Sequence, residues 1–235
     1  MRLQNKVALL AGIGQGMGQA TALLFAQEGA KVALAARSNN SIKNIAERIQ
    51  SSGGDALVVP GDLSIKSHTE KIVGEITEKY GRLDILYSAA GGNFDPSRNL
   101  TDVDESFWDT TINNTLNSLF NLAQAVRPIM KKQKSGVIVA VAASDNVRQA
   151  GNPAYGTAKA GVIGLCKNLA GEFHKDNIRV NAISAGLFRG SLEEGQVKPA
   201  AVDLQRTGFP QDIAYTALFL ASNESGWITG QTITV

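Results

Sequence analysis

Tyr155 and Lys159 are the two side chains in this sequence whose types and spacing best suit acid–base chemistry. They lie four residues apart on a predicted helix, which places both on one helical face. A phenol with a pKa near ~10 is a poor acid–base group at neutral pH unless a nearby cation stabilises its phenolate. Lys159 could be that cation, so the pair predicts a tyrosine that exchanges protons with a bound substrate.

Four glycines crowd the turn between the first predicted strand and the first predicted helix, at Gly12, Gly14, Gly16 and Gly18. Gly12, Gly16 and Gly18 fit the pattern G-x-x-x-G-x-G. Glycine allows a sharp turn and lets a pyrophosphate approach the helix N-terminus, where free N–H groups and the helix dipole favour an anion. The turn predicts dinucleotide binding, with Met17 either contacting the cofactor or packing internally. The alternative is a glycine-rich turn without a ligand.

The end of the second predicted strand carries Arg37 and Ser38, and no acidic residue occurs between Glu28 and Glu47. A protein that binds NAD usually has an acid here to accept the ribose 2′-hydroxyl. Arg37 instead offers a permanently charged donor fork that matches a 2′-phosphate. We therefore predict NADP(H) over NAD(H) as the cofactor, with Ser38 as a second donor. The alternative is that Arg37 is a solvated surface charge.

Asp62 and Leu63 follow the third predicted strand, in the sequence Pro-Gly-Asp-Leu-Ser. We place both residues in the cofactor-binding set, because the carboxyl end of a strand is where a dinucleotide binds in this kind of sheet. The Asp62 carboxylate could accept from an adenine amino group, or it could cap the next turn. The sequence leaves both interpretations open.

Short apolar strands alternate with longer amphipathic stretches, and these elements must position the residues above. The predicted strands are Lys6–Ala11, Lys31–Ala36, Ala56–Val59, Leu83–Ala89, Val137–Ala142, Ile178–Ser184 and a last one from Thr232. The predicted helices are Met17–Gln27, one from an N-cap at Ser41 to Ser52, Ser67–Tyr80, Glu105–Lys132, Ala154–His174 and Gln211–Ala221.

Strands such as VALLA and VIVAV are apolar on both faces, which is typical of a parallel sheet between two helix layers. The alternation predicts an α/β fold, a single domain over residues 1–235 with a doubly wound, Rossmann-like parallel sheet of about seven strands. Residues 187–209 show little periodicity. We expect them to form a substrate-side lid beyond a strand's carboxyl end, with a plain surface loop as the alternative.

The charge balance excludes several function classes. Lys plus Arg number 23 and Asp plus Glu 21, giving a net charge of +2 without long runs of one sign. This gives no support for a nucleic-acid-binding or membrane-binding surface. One cysteine and two distant histidines exclude a disulfide and a structural zinc site, so we expect no metal. The short apolar run near the amino terminus does not suit a signal peptide, and we expect a cytoplasmic protein.

The sequence resembles the short-chain dehydrogenase/reductase family over essentially its whole length. The motifs that carry the resemblance are Gly81-Arg-Leu-Asp84 before the fourth strand, Ala90-Gly91 after it, Tyr155 with Lys159, Arg179-Val-Asn181, Pro210-Gln-Asp-Ile-Ala and Ile228-Thr-Gly-Gln-Thr-Ile. The resemblance implies a seven-stranded Rossmann sheet, NAD(P)(H) binding with Ala90 and Gly91 at the cofactor, and a homotetramer or homodimer.

The sequence departs from this family at two active-site positions. The family's serine, which bonds the substrate oxygen, is expected at Ala142 or Ala143, and Ser144 lies just beyond. Ser144 is our candidate to polarise the carbonyl. The family's asparagine in the long helix is expected at Thr115, and Asn114 precedes it by one residue, about 100° round an α-helix.

Together these residues predict an NADP(H)-dependent oxidoreductase that interconverts a small-molecule carbonyl and an alcohol. Tyr155 would donate the proton while a hydride arrives from the nicotinamide, and Lys159 would lower the Tyr155 pKa and hold the ribose. The resemblance implies 3-oxoacyl-acyl-carrier-protein reductase-like activity as one substrate class among several. A catalytically impaired dinucleotide-binding sensor or scaffold is the alternative. A third, weaker hypothesis is epimerisation or dehydration on the same cofactor.

Overall fold

The computed structural model describes residues 1–188, 197–203 and 205–235. Its strands are β1 (Val7–Ala11), β2 (Lys31–Ala35), β3 (Ala56–Val58), β4 (Ile85–Ser88), β5 (Gly136–Ala143), β6 (Ile178–Ala185) and β7 (Thr232–Thr234). All pair in parallel as one sheet, in the order β3-β2-β1-β4-β5-β6-β7. The chain adds β2 and β3 on one side of β1 and then returns to place β4 on the other side of β1. A crevice opens above the carboxyl ends of β1 and β4, where the strand order reverses.

The helices cover both faces of this sheet. They are α1 (Met17–Gln27), α2 (Asn39–Ser51), α3 (Lys66–Tyr80), α4 (Glu105–Ile112), α5 (Ser118–Gln133), α6 (Asp145–Ala150), α7 (Pro153–Phe173) and α8 (Pro210–Ala221). Single 3-10 turns occupy Leu100–Asp102, His174–Asp176 and Asn223–Ser225.

Two apolar cores lie on opposite faces of the sheet. One joins alternate residues of the central strands to α1, α2 and α8, and includes Leu10, Phe25 and Leu218. The other joins the intervening residues to α3, α5 and α7, and includes Leu9 and Val126. Because successive side chains of a strand point to opposite faces, an all-apolar strand such as β1 supplies both cores. The predicted doubly wound α/β fold is confirmed.

The second helix begins earlier than predicted. It starts at Asn39 after Ser38, so the prediction that Ser41 is its N-cap is wrong. The Ser41 hydroxyl instead donates to the Ser38 carbonyl at 3.1 Å, within the first turn. A serine hydroxyl can bond in this way inside a helix as well as cap it, so residue type alone did not locate the start.

The long helix predicted over Glu105–Lys132 is interrupted. Between α4 and α5, residues Asn113–Asn117 form a π-helical turn, and the Ser118 hydroxyl donates to the Asn113 carbonyl at 3.0 Å. A π turn holds more residues than an α turn, so it shifts the faces of the two flanking segments relative to each other. Apolar periodicity does not show such a local change.

Asp84 links β1 to β4 at the edge of the sheet opposite the crevice. Its buried carboxylate accepts from the Val7 backbone N–H at 2.9 Å and from the Arg82 guanidinium at 2.8 and 2.6 Å. The arrangement ties the start of β1 to the start of β4 through charge-assisted hydrogen bonds. This accounts for the Gly81-Arg-Leu-Asp84 motif as a structural one, remote from the crevice.

Across the described ranges, no helix is both long and apolar enough to cross a membrane.

Candidate active site

A crevice of about 310 Å³ lies at the carboxyl edge of β1 to β4 and collects residues from separate parts of the chain. Eight residues predicted from the sequence line it: Gly12, Arg37, Ser38, Asp62, Leu63, Ala90, Gly91 and Asn114. Five further residues line it that the sequence did not single out as contacts: Ile13, Gly14, Ala36, Ser41 and Ser118. These follow the predicted strand ends or lie on the adjacent helices, so their only sequence signal was proximity to the predicted residues.

Gly12 is the position where a side chain is least tolerable. Its φ of +70° lies in the left-handed region, and a Cβ there would stand 2.3 Å from the Ala90 Cα and 2.4 Å from the Ala90 nitrogen. Its N–H donates to the Ala35 carbonyl at 2.9 Å, which fixes the turn against β2. The ends of β1 and β4 can therefore approach this closely only around a glycine.

The remaining residues of the turn support the start of α1. Gly16 has a φ of +92° and immediately precedes the helix, and Gly18 packs so tightly that a Cβ would stand 2.9 Å from Ile13. Met17 packs against the apolar core, the alternative given for it above. The first turn of α1 carries no acidic residue. An anion is therefore favoured at this helix N-terminus, beside Gly12 and Gly14.

The end of the crevice beside β2 and β3 has one exposed cation and one engaged carboxylate. Arg37 and Ser38 are both exposed, and Arg37 forms no ion pair with a described residue. Asp62 accepts from the Ser64 hydroxyl at 2.7 Å and the Ser64 N–H at 2.9 Å, so it caps the following turn. The Ser64 hydroxyl chiefly holds the pKa of Asp62 below its ordinary value, and Arg37 contributes.

The loop that carries Asp62 is held from the neighbouring helix. Asn121 on α5 is buried, and its amide donates to the Leu63 carbonyl at 3.2 Å and to the Ser64 carbonyl at 2.9 Å. Buried backbone carbonyls need such partners when no strand supplies them. Asn121 is therefore part of the support of the crevice that the sequence did not reveal.

Lys159 does not line the crevice itself but lies buried behind Gly91, which does. Its side chain donates to the Val141 carbonyl at 2.9 Å, near the end of β5. A Cβ on Gly91 would stand 3.0 Å from Lys159 Nζ, which places the ammonium directly beside that loop. Burial lowers the pKa of Lys159 to about 8, so the group is mainly protonated at neutral pH.

Tyr155 precedes Lys159 by one turn of α7 and is partly buried. Its ring meets the Phe94 ring edge-on, with centroids 5.3 Å apart, and its hydroxyl forms no hydrogen bond with a described residue. The sequence predicted that Lys159 would lower the pKa of Tyr155, but burial raises this pKa in the structure, so the phenol is protonated at neutral pH. A protonated phenol without a protein partner, one turn from an ammonium, is a proton donor available to a ligand.

The π turn directs both Asn114 and Thr115 towards the site. Asn114 lines the crevice, and Thr115 is 1% exposed with a hydroxyl that has no hydrogen-bond partner in the described chain. A Cβ on Gly91 would stand 3.4 Å from the Thr115 hydroxyl oxygen. The smaller rotation per residue in a π turn explains how adjacent residues face one site.

Ser144 is the N-cap of α6, a short helix that the sequence analysis missed. Its hydroxyl accepts from the Val147 N–H at 3.4 Å, and its own N–H donates to the Ala185 carbonyl at 2.8 Å. Ala142 and Ala143, the positions expected for the family's serine, are buried. The role of Ser144 towards a substrate oxygen stays a prediction.

Only part of the predicted lid over 187–209 is described, since residues 189–196 and 204 lie outside the described residues. The described parts border a cavity of about 700 Å³ between the end of β6 and α8. Phe188 bridges to Gly208, and the Arg206 guanidinium forms a two-point ion pair with Asp212 at 2.7 and 2.9 Å. The pair anchors the carboxyl-terminal end of this segment to the start of α8.

These residues fit a dinucleotide. The turn at Gly12 leaves no room for a side chain, the helix beyond it presents free N–H groups, and Arg37 is an unpaired cation at the far end of the crevice. At the near end, the unpartnered Thr115 hydroxyl and the Lys159 ammonium flank Gly91. A buried polar atom without a partner is costly, so it marks a place where a ligand can supply one.

Comparisons with known proteins agree with this geometry. The profile of a family described as enoyl-(acyl carrier protein) reductase matches residues 12–235. The chain is 38% identical to a 3-oxoacyl-acyl-carrier-protein reductase from Thermotoga maritima, over 99% of this chain and 97% of that protein. It is 34% identical to a hydroxy(phenyl)methylsuccinyl-CoA dehydrogenase subunit from Thauera aromatica, over 100% of this chain and 96% of the relative.

Solved structures with the same fold include two oxidoreductases. A hydroxysteroid dehydrogenase from Escherichia coli superposes with a TM-score of 0.86 at 30% identity, covering 100% of this chain and 96% of that one. A levodione reductase superposes with a TM-score of 0.89 at 27% identity, covering 100% and 97%.

Substituting Gly12 should test the close approach of β1 and β4. We expect Gly12→Ala to lower the free energy of unfolding by about 2–3 kcal/mol, because the left-handed φ and the contact with the Ala90 backbone are both unfavourable to a Cβ. Gly14→Ala is the matched control, since a Cβ there meets nothing within 4 Å. Urea unfolding of the two variants measures the difference. Equal stabilities would contradict the argument.

Proposed function

The chain belongs to the short-chain dehydrogenase/reductase family and is an NAD(P)-dependent oxidoreductase, and from that premise we propose its specific chemistry. It interconverts a carbonyl and an alcohol on a small molecule, with Tyr155 as the acid–base group and NADP(H) as the preferred cofactor. The single observation that carries the proposal is a Tyr155 hydroxyl without a hydrogen bond to a described residue, one helical turn from the buried Lys159 ammonium that lies beside Gly91 of the crevice.

In the direction of reduction, the Tyr155 O–H donates its proton to the substrate oxygen, which becomes the alcohol hydroxyl. The carbonyl carbon receives a hydride, which is the chemistry that a nicotinamide cofactor would supply when bound. The phenolate that remains on Tyr155 is stabilised by the Lys159 ammonium, which the Val141 carbonyl holds in place. In the reverse direction the same phenolate takes the proton of the alcohol.

The cofactor would be held along the crevice by groups of matching chemistry. Arg37 and Ser38 suit a 2′-phosphate, and the start of α1 suits the pyrophosphate. Asp62 and Leu63 lie where the adenine would bind. Lys159 and the unpartnered Thr115 hydroxyl suit the hydroxyls of the nicotinamide ribose.

The substrate class we favour is a 3-oxoacyl compound, reduced at the 3-oxo group. Two of the relatives described above carry names that refer to acyl-carrier-protein or CoA thioesters, which supports a substrate with an acyl chain. Residues 187–209 would cover the substrate, and the chain would assemble as a homotetramer or homodimer. Both of these points stay predictions.

A catalytically impaired cofactor-binding scaffold is the second candidate. It is favoured by the alanines at positions 142 and 143, where the family's serine is expected. They would leave the substrate oxygen without the family's hydroxyl donor, at a cost of ~10²–10³ in rate if that donor acts like one in an oxyanion hole. Tight NADPH binding without turnover on a panel of 3-oxo esters and ketones would select this candidate.

Removing the Tyr155 hydroxyl tests the proposed function directly. Tyr155→Phe should lower kcat for NADPH-dependent reduction by about 10³-fold, the usual range for a general acid, while NADPH still binds. Tyr80→Phe, which removes a hydroxyl bonded to Asp55 at the opposite edge of the sheet, should leave kcat within about twofold. Near-normal turnover by Tyr155→Phe would refute the acid–base assignment.

Arg37 should decide the choice between the two cofactors. We expect wild type to use NADPH more efficiently than NADH, and Arg37→Ala to lose about 10–100-fold in kcat/KM for NADPH with little change for NADH, since a charge-assisted contact is lost. Arg48→Ala, at the other end of α2, is the matched control. Equal or better efficiency of wild type with NADH would show that the predicted preference is wrong.

The rate of reduction should fall at alkaline pH. Below its pKa of about 8 Lys159 is charged and can stabilise the Tyr155 phenolate, and above it the ammonium is lost while the phenol, whose pKa is raised, stays protonated. We therefore expect kcat to be level from about pH 6 to 7.5 and to decline through about pH 8–9. Steady-state rates with saturating NADPH measure this profile, and Tyr80→Phe should reproduce it. A level profile to pH 10 would contradict the proposed part of Lys159.

A further inference from the structure

Phe94 is an exposed aromatic side chain in direct contact with the proposed proton donor. It is 41% exposed, yet its ring meets the Tyr155 ring edge-on at 5.3 Å with an interplanar angle of 73°. The two rings come together over Gly151, where a Cβ would stand 3.0 Å from Tyr155 Cδ1 and 3.2 Å from Phe94 Cδ2. The absence of a side chain at Gly151 therefore allows this contact, and an apolar surface remains open beside the phenol.

Asn152 holds Phe94 in this place through the preceding residue. The Asn152 side chain is fully buried, and its Nδ2 donates to the Asn93 carbonyl at 2.6 Å. Its Oδ1 accepts from the Tyr155 N–H at 2.9 Å as the N-cap of α7. One amide thus connects the loop after β4 to the first turn of the helix that carries Tyr155.

The same loop is anchored a second time from α4. The Asn93 amide donates to the buried Thr111 hydroxyl at 2.8 Å, and that hydroxyl donates to the Phe107 carbonyl at 2.7 Å. Asn93 has a φ of +63°, a conformation that asparagine tolerates better than most residues. Phe94 is therefore presented by a turn that is fixed on both sides, so a ligand that packs on its ring does not have to order it.

We propose that Phe94 is a specificity-determining residue of the active site and that Asn152 is the positioning residue that holds it. Phe94 provides an apolar contact for the substituent on the reacting carbonyl, so the enzyme prefers carbonyl compounds whose substituent is apolar, as in a 3-oxoacyl chain. The inference rests on the proposed function, because it assumes that the reacting carbonyl lies at the Tyr155 hydroxyl.

The physical basis is the position of the ring relative to that hydroxyl. A carbonyl that accepts from Tyr155 places its substituents within a few ångströms of the phenol, and the exposed Phe94 ring meets the Tyr155 ring edge-on. Covering an exposed aromatic face with an apolar group is favourable, whereas a polar group there loses hydration without gaining a partner from the ring.

Two esters of equal size isolate this effect. Ethyl 3-oxohexanoate and ethyl 4-methoxyacetoacetate differ on the ketone by one methylene replaced by an ether oxygen. We expect wild type to favour the hexanoate about tenfold in kcat/KM with NADPH. Phe94→Ala should reduce this ratio to within about twofold of unity. Phe94→Leu should keep most of it, because the apolar contact is retained.

Asn152→Asp tests the positioning role without removing the helix cap. The aspartate can still accept from the Tyr155 N–H, but it cannot donate to the Asn93 carbonyl. We expect this variant to bind NADPH as wild type does and to show the reduced ester ratio of Phe94→Ala. Asn168→Asp, an exposed asparagine of the same helix, should keep the wild-type ratio.

The outcomes separate this inference from the proposed function. Equal loss on both esters in Phe94→Ala, with the ratio unchanged, would overturn the role of Phe94 and leave the oxidoreductase proposal standing. A wild-type ratio in Asn152→Asp would overturn the role of Asn152. Absence of turnover by wild type on either ester, with NADPH or NADH, would count against the 3-oxo substrate class and the inference together.

Discussion

The burial of one ammonium group is the constraint on which the proposed chemistry depends. Among the described residues Lys159 has one hydrogen-bond partner, the Val141 carbonyl, and it lies buried beside Gly91, so its charge is poorly solvated. Burying an ammonium group away from water is unfavourable unless a polar or oppositely charged group nearby interacts with it. The proposed function supplies two partners for this charge, the phenolate of Tyr155 one helical turn away and the hydroxyls of a ribose.

The fold brings these groups together through the ends of three strands. β1 ends at the glycine turn, β4 ends at the Ala90-Gly91 loop, and β5 supplies the carbonyl that orients Lys159. These strands are neighbours in the centre of the sheet, where helices cover both faces. The site is therefore built at the ends of central strands, while the substrate side is left to loops.

Local patterns predicted much of this structure. The Tyr155–Lys159 spacing, the glycine turn and the apolar strands each depend on residues close together in the chain, and they predicted the fold. Of the eight predicted residues that line the crevice, Ala90, Gly91 and Asn114 came instead from the family resemblance. What the sequence did not show was decided by contacts between distant segments. No local pattern indicates the partner of Asn152, and its position is understood only from its hydrogen bond to the Asn93 carbonyl, 59 residues away in the chain. The sequence analysis missed the start of α2 and the short α6. A serine hydroxyl can cap a helix or bond to the backbone within one, and the residue sequence alone does not distinguish the two.

The π turn between α4 and α5 lets this continuous helical segment hold two different loops. The segment before it holds the Asn93 loop through Thr111, and the segment after it holds the Asp62 loop through Asn121. The extra residue of the π turn rotates α4 relative to α5. The Asn93 loop and the Asp62 loop, at opposite ends of the crevice, are therefore held by one continuous helical segment, which a regular α-helix would not achieve. The adenine side and the substrate side of the crevice are in this way mechanically joined, and a shift of that segment displaces both at once.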